Sequence, residues 1–309
     1  MYCKYVYSSY NQANMLSDII AILTGETNVN NLSATCDKAN TTITAAVEVA
    51  GWTVYDASAG TNAKCIRAAI SDDGSNYYGK YIVVDTNSSG YLYLKLYESW
   101  NSGSHSGTNP DGGYNQTAYQ QRVNASGGGT IYIRANANSV VAYSNYSSTW
   151  GNSATLGMNL ITEYSRLAGW ATIANAYPKM VNLSLYAPGV IANANVLAYT
   201  RIITNTGADS TTGIQVSTST FGCVMSVTSG TGGIPITTVP ADSSKTLYHA
   251  LYPLWTVSGT YGFYGEVSSF SKVYLTTYNF GAHGDELTVG SNTYVIWACG
   301  SYRFALLKG

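Results

Sequence analysis

The sequence predicts an all-β chain: two antiparallel, β-sandwich or jelly-roll-like domains carrying one N-terminal amphipathic helix. Three observations carry this. Over most of the 309 residues apolar and polar residues alternate in short runs closed by Gly, Asn, Asp and Ser, the pattern of half-buried strands and their turns. The 28 tyrosines belong to a residue type that favours strands and contact surfaces, because the ring is apolar while the hydroxyl finds a hydrogen bond. Helical spacing of apolar residues occurs convincingly once. The chain is longer than one typical domain, and the expected division is an N-terminal strand-and-helix arm over 1–40, a first β-sandwich domain over 41–188 and a second β domain over 189–309.

The arm opens on a strand from Tyr5 to Tyr7, followed by a polar turn and a helix from about Asn11 to Leu23. Met15, Leu16, Ile19, Ile20 and Leu23 recur there at intervals of three and four, which marks one buried face. Gly25 is the expected stop, since it accepts the left-handed conformation that ends helices. A single helix on a β-rich body reads as a docking lid or interface arm, which puts Met15 and Ile19 at a contact surface.

From about Thr41 the period becomes two. TITAAVEVAGWTVYDA, AKCIRAAI, YGKYIVVDT and GYLYLKLYESW are separated by Asp-Asp-Gly-Ser-Asn and Asn-Ser-Ser-Gly, as in antiparallel hairpins. In YLYLKLY, Leu92, Leu94 and Leu96 share one face, and Tyr91, Tyr93, Lys95 and Tyr97 share the other. The leucines are therefore read as core and the tyrosines as surface. Asn101 to Tyr119 reads as one long polar loop, too long for a hairpin turn and hence an assembly contact or functional loop. Within it His105, Tyr114 and Tyr119 are candidate contact residues beside Tyr91, Tyr93 and Tyr97. Strands resume with QQRVNA, TIYIRA and SVVAYS; ATLGMNLITEYSRLAGW reads as a final strand running into a corner, followed by ANAYPKM, and closes the first domain near Pro188. After Gly189 short strands start again with NVLAYTRIIT, GIQVST, GCVMSVT, HALYPLWTV, GEVSSFSKVYLTTY, DELTVGSNTYVIWAC and SYRFALL. No fixed-period repeat is evident, which weighs against solenoids and propellers.

Composition narrows the function classes. Charged residues are 10% of the chain and the net charge is -1, against about a quarter charged in ordinary soluble proteins. The surface must be built from Ser, Thr, Asn and Gly, which allow identical surfaces to approach closely. Without a Lys/Arg cluster there is little to follow a phosphate backbone, so nucleic acid is not an expected partner. Cys3, Cys36, Cys65, Cys223 and Cys299 show no paired spacing and are read as reduced, buried thiols rather than a zinc site or disulfide framework. No secretory leader pattern and no run of about eighteen apolar residues occurs, so membrane insertion is not expected.

Candidate chemistry is sparse. A Ser-His-acid arrangement would have to use His105, His249 or His283, none of which lies in a nucleophile motif; each is read as a surface or packed structural histidine. Paired acids for glycoside hydrolysis would come from Asp56, Asp72, Asp73, Asp85, Glu98, Glu163, Asp285 and Glu286, but the adjacent pairs border Gly in turn-like sequence, where Asp serves local hydrogen bonds. Asp72-Asp73-Gly-Ser-Asn lacks the ligand ladder of a calcium loop. Gly127-Gly128-Gly129 precedes a strand and is read as a turn rather than a phosphate cradle. Glu163 and Arg166 are read as a structural ion pair. The six tryptophans, scattered singly among strand patterns, are read as core or interface residues. No catalytic, metal or cofactor-binding residue is assigned, and no cofactor is expected.

Three segments carry a family likeness: Gly51-Trp52-Thr53-Val54-Tyr55-Asp56; Lys80-Tyr81 leading into Tyr97-Glu98-Ser99-Trp100-Asn101 and His105-Ser106-Gly107-Thr108-Asn109; and Glu163-Tyr164-Ser165-Arg166 through Trp170 to Tyr177-Pro178. On these the chain, mainly residues 1 to about 185, resembles a family of tail- and baseplate-associated structural proteins of bacteriophage virions. Gly284 to Ile296 followed by Tyr302-Arg303-Phe304-Ala305-Leu306 is similar to the closing hairpin of many phage tail and baseplate proteins. The resemblance implies a virion subunit, assembled in the bacterial cytoplasm, whose partners are copies of itself and neighbouring virion proteins. It supplies no catalytic residues. The expectation is thus a non-enzymatic virion component of the tail, baseplate, neck or fibre. The alternatives are a receptor- or glycan-binding fibre module contacting host-surface glycan, and, behind that, a polysaccharide depolymerase.

Overall fold

The computed structural model describes residues 1–44, 50–68, 81–97, 99–108, 120–136, 139–145, 153–158, 178–186, 197–204, 207–208, 214–216, 251–253, 255–258, 262–266, 272–276, 281–299 and 302–309. They form several antiparallel sheets and a single α-helix. Alternation in the sequence translates directly into strands because each strand has one face to bury.

The chain enters through β1 (Tyr2–Tyr7), with Tyr2, Cys3, Tyr5 and Tyr7 buried. The helix α1 (Gln12–Leu23) follows. Asn11 caps it, its side-chain oxygen accepting from the Asn14 amide at 2.9 Å, which satisfies one of the free N–H groups of the first turn. At the other end Gly25 has φ +111°; its amide donates to the Ile22 carbonyl at 3.2 Å, and the Glu26 amide donates to the Ala21 carbonyl at 2.8 Å. This paired closure uses a residue without a Cβ at its left-handed position. Helix start and stop therefore fall where the sequence places them.

The helix is not an arm. Met15 and Ile19 are each 1% exposed and lie in one hydrophobic core with Cys3, Tyr5, Ile131 and Ile133. The expectation that they form a contact surface is corrected: the apolar face that periodicity detects is satisfied by strands of the same chain. β1 is likewise interior to a sheet, between β2 (Thr42–Thr44) and β10 (Gly129–Asn136). The 1–40 segment is thus part of the body rather than a projection from it.

The next ladder runs β3 (Trp52–Gly60), β4 (Ala63–Ala68), β5 (Tyr81–Asn87), β6 (Tyr91–Tyr97) and β9 (Gln120–Arg122), all antiparallel and in that spatial order. Ile66, Ile82, Val84, Leu92 and Leu94 point into the same core as the helix. Leu92 and Leu94 of YLYLKLY are therefore inward, as alternation requires. Burying each such aliphatic side chain contributes roughly 1.5–3 kcal/mol. The Trp52 indole N–H donates to the Asn136 carbonyl at 2.7 Å and ties this ladder to β10. Between β6 and β9 lies a separate hairpin, β7 (Ser99–Asn101) paired with β8 (Ser106–Thr108). The expected loop from Asn101 to Tyr119 is corrected to that extent: its first part is paired structure, and Tyr114 and Tyr119 lie outside the described residues.

Beyond β10, the sheet holding β1 continues through β11 (Ser139–Ser144), β12 (Ser153–Met158), β13 (Pro178–Tyr186) and β14 (Leu197–Thr204), with β15 (Gly207–Ala208) and β16 (Ile214–Val216) both pairing β14. The expected division at residue 188 falls between β13 and β14, which pair with each other from Pro178↔Thr204 to Tyr186↔Leu197. The C-terminal part contributes β17 (Tyr252–Pro253), the hairpin β18 (Trp255–Ser258) with β19 (Gly262–Glu266), then β20 (Val273–Thr276), β21 (Glu286–Val289), β22 (Asn292–Cys299) and β23 (Tyr302–Leu307). Apart from that hairpin these form one sheet, ordered β17-β20-β23-β22-β21. It docks on β10 and β11 through rings: Tyr143 stacks on Trp297 with centroids 5.2 Å apart and on Tyr132 at 4.9 Å, and His283 meets both tyrosines edge-on. His283 is therefore a packed histidine.

Candidate functional site

Side chains from distant parts of the chain converge on Asp56. Its position is set by an irregularity: the β3–β4 ladder shifts register on both sides of Asp56, between Val54 and Asp56 and between Asp56 and Gly60. Such bulges re-aim a side chain relative to its strand. The Asp56 carboxylate is buried, at 5% exposure, and accepts three hydrogen bonds. The Ser58 amide donates to Oδ1 at 2.9 Å, while the Trp100 indole N–H at 2.8 Å and His105 Nδ1 at 2.9 Å both meet Oδ2.

Trp100 and His105 come from the β7–β8 hairpin, and its local chemistry explains their convergence. Asn101 Oδ1 accepts from the amides of Gly103 at 2.8 Å and Ser104 at 3.1 Å, a side-chain turn of the kind Asn favours. His105 closes the turn with φ +51°, a left-handed conformation that is uncommon outside Gly. Gly107 then passes against Tyr97 so closely that a Cβ there would stand 2.2 Å from the ring. Tyr97 meets Trp100 edge-on at 4.9 Å. The hairpin lies over a small second core of Ala63, Cys65, Tyr81 and Val83, with Tyr55 and Tyr97 packed at its margin.

Burial pushes the Asp56 carboxyl upward, but hydrogen bonds from His105, Trp100 and the Ser58 amide outweigh it and leave the group below the ordinary carboxylate range. Asp56 is therefore ionised, and an ionised carboxylate only accepts. His105 must then carry its proton on Nδ1. Burial, followed by the negative field of Asp56, pushes the neighbouring Cys65 thiol up and keeps it protonated.

The His105 side chain is 46% exposed, so the imidazole is oriented from within and reaches solvent. The geometry is that of an imidazole oriented by a carboxylate, two of the three members of a Ser-His-acid arrangement. Trp100, at 9% exposure, cannot offer its ring face to a sugar while the hairpin is docked. The Asp56 oxygens are engaged by three donors, which suits a structural anchor better than glycoside chemistry.

Beside this anchor runs the outer face of β5 and β6. Tyr91, Tyr93 and Tyr97 are half-buried there, the first two rings 6.2 Å apart. Lys95 bridges them to Asp85: its ammonium lies 2.8 Å from the carboxylate and 5.0 Å from the Tyr93 ring centre. The Asn87 amide donates to the Tyr93 hydroxyl at 3.1 Å. The result is an aromatic strip in which the Lys95 ammonium is neutralised by Asp85.

Among the other acids, Asp285 accepts from the Ala282 amide at 2.7 Å within its turn, and Glu286 pairs with Lys308 at 2.7 Å. Asp72, Asp73, Glu98, Glu163, Arg166 and His249 lie outside the described residues. Among the described residues no group of three His, Cys, Asp or Glu side chains is arranged to hold a metal, and no helix is long and apolar enough to cross a membrane. Cys3, Cys36 and Cys65 are free and buried.

The sequence reads Asp56 as one of several turn or paired acids, Trp100 as a core or interface residue and His105 as a loop contact, and gives no local sign that they converge across 44 and 49 residues of chain. The one signal was that all three fall within the segments carrying the family likeness. No protein-family model matches the chain, and comparison with curated proteins finds no match.

Proposed function

We propose that the protein is a non-enzymatic structural subunit of a bacteriophage virion, in the tail, baseplate, neck or fibre, that assembles with copies of itself and neighbouring virion proteins in the bacterial cytoplasm. The observation that carries the reading is the half-buried tyrosine strip on β5 and β6. Its rings combine apolar area with polar tips, the composition enriched at protein contacts, and its Lys95 charge is paired with Asp85 rather than left to repel an identical surface. A chain only 10% charged supports the same reading. Within it, the sheets are arranged as in a sandwich or jelly roll, since β1, β10 and β11 share one core with β3 to β6. The mechanism is burial of complementary surface, with stable contacts covering more than about 1,000 Å². No cofactor, nucleic acid or membrane insertion enters it.

Sedimentation velocity on the purified chain tests the assembly part. Concentration-dependent oligomers are expected, weakened by joint Tyr91→Ser and Tyr93→Ser changes; a monomer at every concentration, with a side-chain-resolution particle reconstruction lacking the chain, overturns it. A glycan-binding fibre module is the second reading, favoured by the Asn87 side-chain amide and Tyr93 hydroxyl fixed beside two half-buried rings. Glycan-array binding that disappears in the same double variant would select it instead.

A further inference from the structure

We propose that the Ser99–Thr108 hairpin is a hinged strap, latched by the buried Asp56 carboxylate through Trp100 and His105, whose release bares the aromatic face beneath it. Three independent features point to this. First, the hairpin is its own sheet: β7 pairs with β8, and among the described residues neither joins the ladder of β3 to β6. An isolated two-stranded hairpin is marginal in water, so its position depends on side chains. Second, two of those side chains end on one oxygen, Asp56 Oδ2. Losing a single acceptor therefore removes two of the hairpin's hydrogen bonds together, that of Trp100 on its first strand and that of His105 at its turn. Third, what lies beneath is a finished apolar patch. Tyr81, Val83 and Cys65 pack with Trp100 in a cluster distinct from the main core, and Tyr55 is held at its margin by Tyr81, edge-on at 5.2 Å, and by the Arg67 guanidinium at 4.6 Å. Opening the strap leaves the main core intact.

The second consequence rests on the assembly reading above: the bared face continues the tyrosine strip of β6 and offers it to a second copy of the chain. A strap of this kind would keep the larger apolar surface covered until subunits meet.

Hydrogen exchange read by mass spectrometry tests the latch on the full chain at neutral pH. In Asp56→Asn, peptides covering 99–108 are expected to exchange faster by on the order of tenfold or more, the factor corresponding to about 1.4 kcal/mol, while peptides from β5 and β10 keep wild-type protection. His105→Ala changes a half-exposed side chain and leaves the fold's interior untouched; it should give a smaller acceleration confined to the same peptides. Unchanged protection of 99–108 in both variants overturns the strap, as does acceleration spread equally through β5 and β10 in His105→Ala, because the hairpin would then be part of the cooperative core. Sedimentation of the same variants judges the assembly reading separately. Stronger self-association with local opening supports both, whereas local opening with an unchanged monomer keeps the strap and removes the face from assembly.

Discussion

Two buried aspartates use one chemical device for opposite ends. Asp18, on the inward side of α1, accepts from the Tyr5 hydroxyl at 2.7 Å, the Ser33 amide at 2.8 Å and the Ser33 hydroxyl at 2.6 Å. Asp56 also accepts three hydrogen bonds, one of them from a backbone amide and two from side chains. Both are nearly inaccessible, at 2% and 5% exposure. The difference lies in what else holds their donors. Tyr5 is a β1 residue, paired on one side with Ile131 of β10 and packed in the main core, so Asp18 joins elements already fixed by a ladder. Trp100 and His105 belong to a hairpin that joins no such ladder among the described residues, so Asp56 and the packing of Trp100 hold it in place. A carboxylate amid existing contacts welds, and the same carboxylate at a lone hairpin latches.

The largest expected effect follows from removing the weld. Asp18→Ala leaves the Tyr5 hydroxyl and the Ser33 donors facing a cavity among buried residues, and unsatisfied buried partners cost more than the bond itself was worth. A global loss of about 3 kcal/mol is expected in urea denaturation. A loss below about 1 kcal/mol would show that the α1–β1 contact holds without its carboxylate.

Asp56→Ala is expected to cost less globally, about 1–2 kcal/mol in the same measurement, because its donors can turn to water when the hairpin lifts. The contrast is qualitative as well as quantitative. The denaturation slope should stay close to wild type for Asp18→Ala and fall for Asp56→Ala, whose native state already exposes part of the second core. Equal costs and equal slopes would erase the distinction between weld and latch.

Acidity offers a gentler break. The titratable groups that meet Asp56 are His105 from the hairpin and Cys65 from β4, with Arg67, Tyr55 and Tyr81 grouped beyond Cys65. The folded Asp56 carboxyl sits below its ordinary value of 3.8, so the unfolded chain binds the proton more readily than the folded one. The stability it contributes is therefore fully present above that ordinary value and is lost as pH falls through the lower, folded value. Thermal melts of wild type and Asp56→Asn should differ by a constant amount from neutral pH down to about pH 5, then converge on further acidification. Curves that stay parallel into strong acid would mean the carboxylate's charge plays no part in docking the hairpin.

How much of this was legible in the sequence follows from the range of each interaction. Helix limits are decided within a turn, by Asn11 and Gly25, and both are visible as residue types in place. The inward leucines of β6 are decided by strict alternation, and the β21–β22 hairpin by two turn residues, Gly290 and Ser291, between paired Val289 and Asn292. What covers the apolar face of α1 is decided by strands as far away in sequence as β4, β5 and β10, and nothing local to Met15 or Ile19 distinguishes an inner partner from another subunit. Asp18 and Asp56 read as ordinary polar residues because their donors arrive from other elements. The hairpin of 99–108 hid in its own composition: Asn, Gly, Ser and His make a turn as readily as a loop, and only the Trp100 anchor distinguishes them.

The smallest effect isolates backbone from contact at the end of the welded helix. Gly25 has φ +111°, yet a Cβ placed there meets nothing within 4 Å. Gly25→Ala therefore loses no packing and adds no clash; its whole cost is the strain of a left-handed conformation in a residue with a Cβ, about 1 kcal/mol. The loss should appear as an equal drop in stability with no change in exchange at Ile19 and Ile20, because Asp18 and the core hold the turn before it. If protection at those two residues falls as well, the helix end is unwinding past the weld, and the grip assigned to Asp18 is weaker than its three hydrogen bonds suggest.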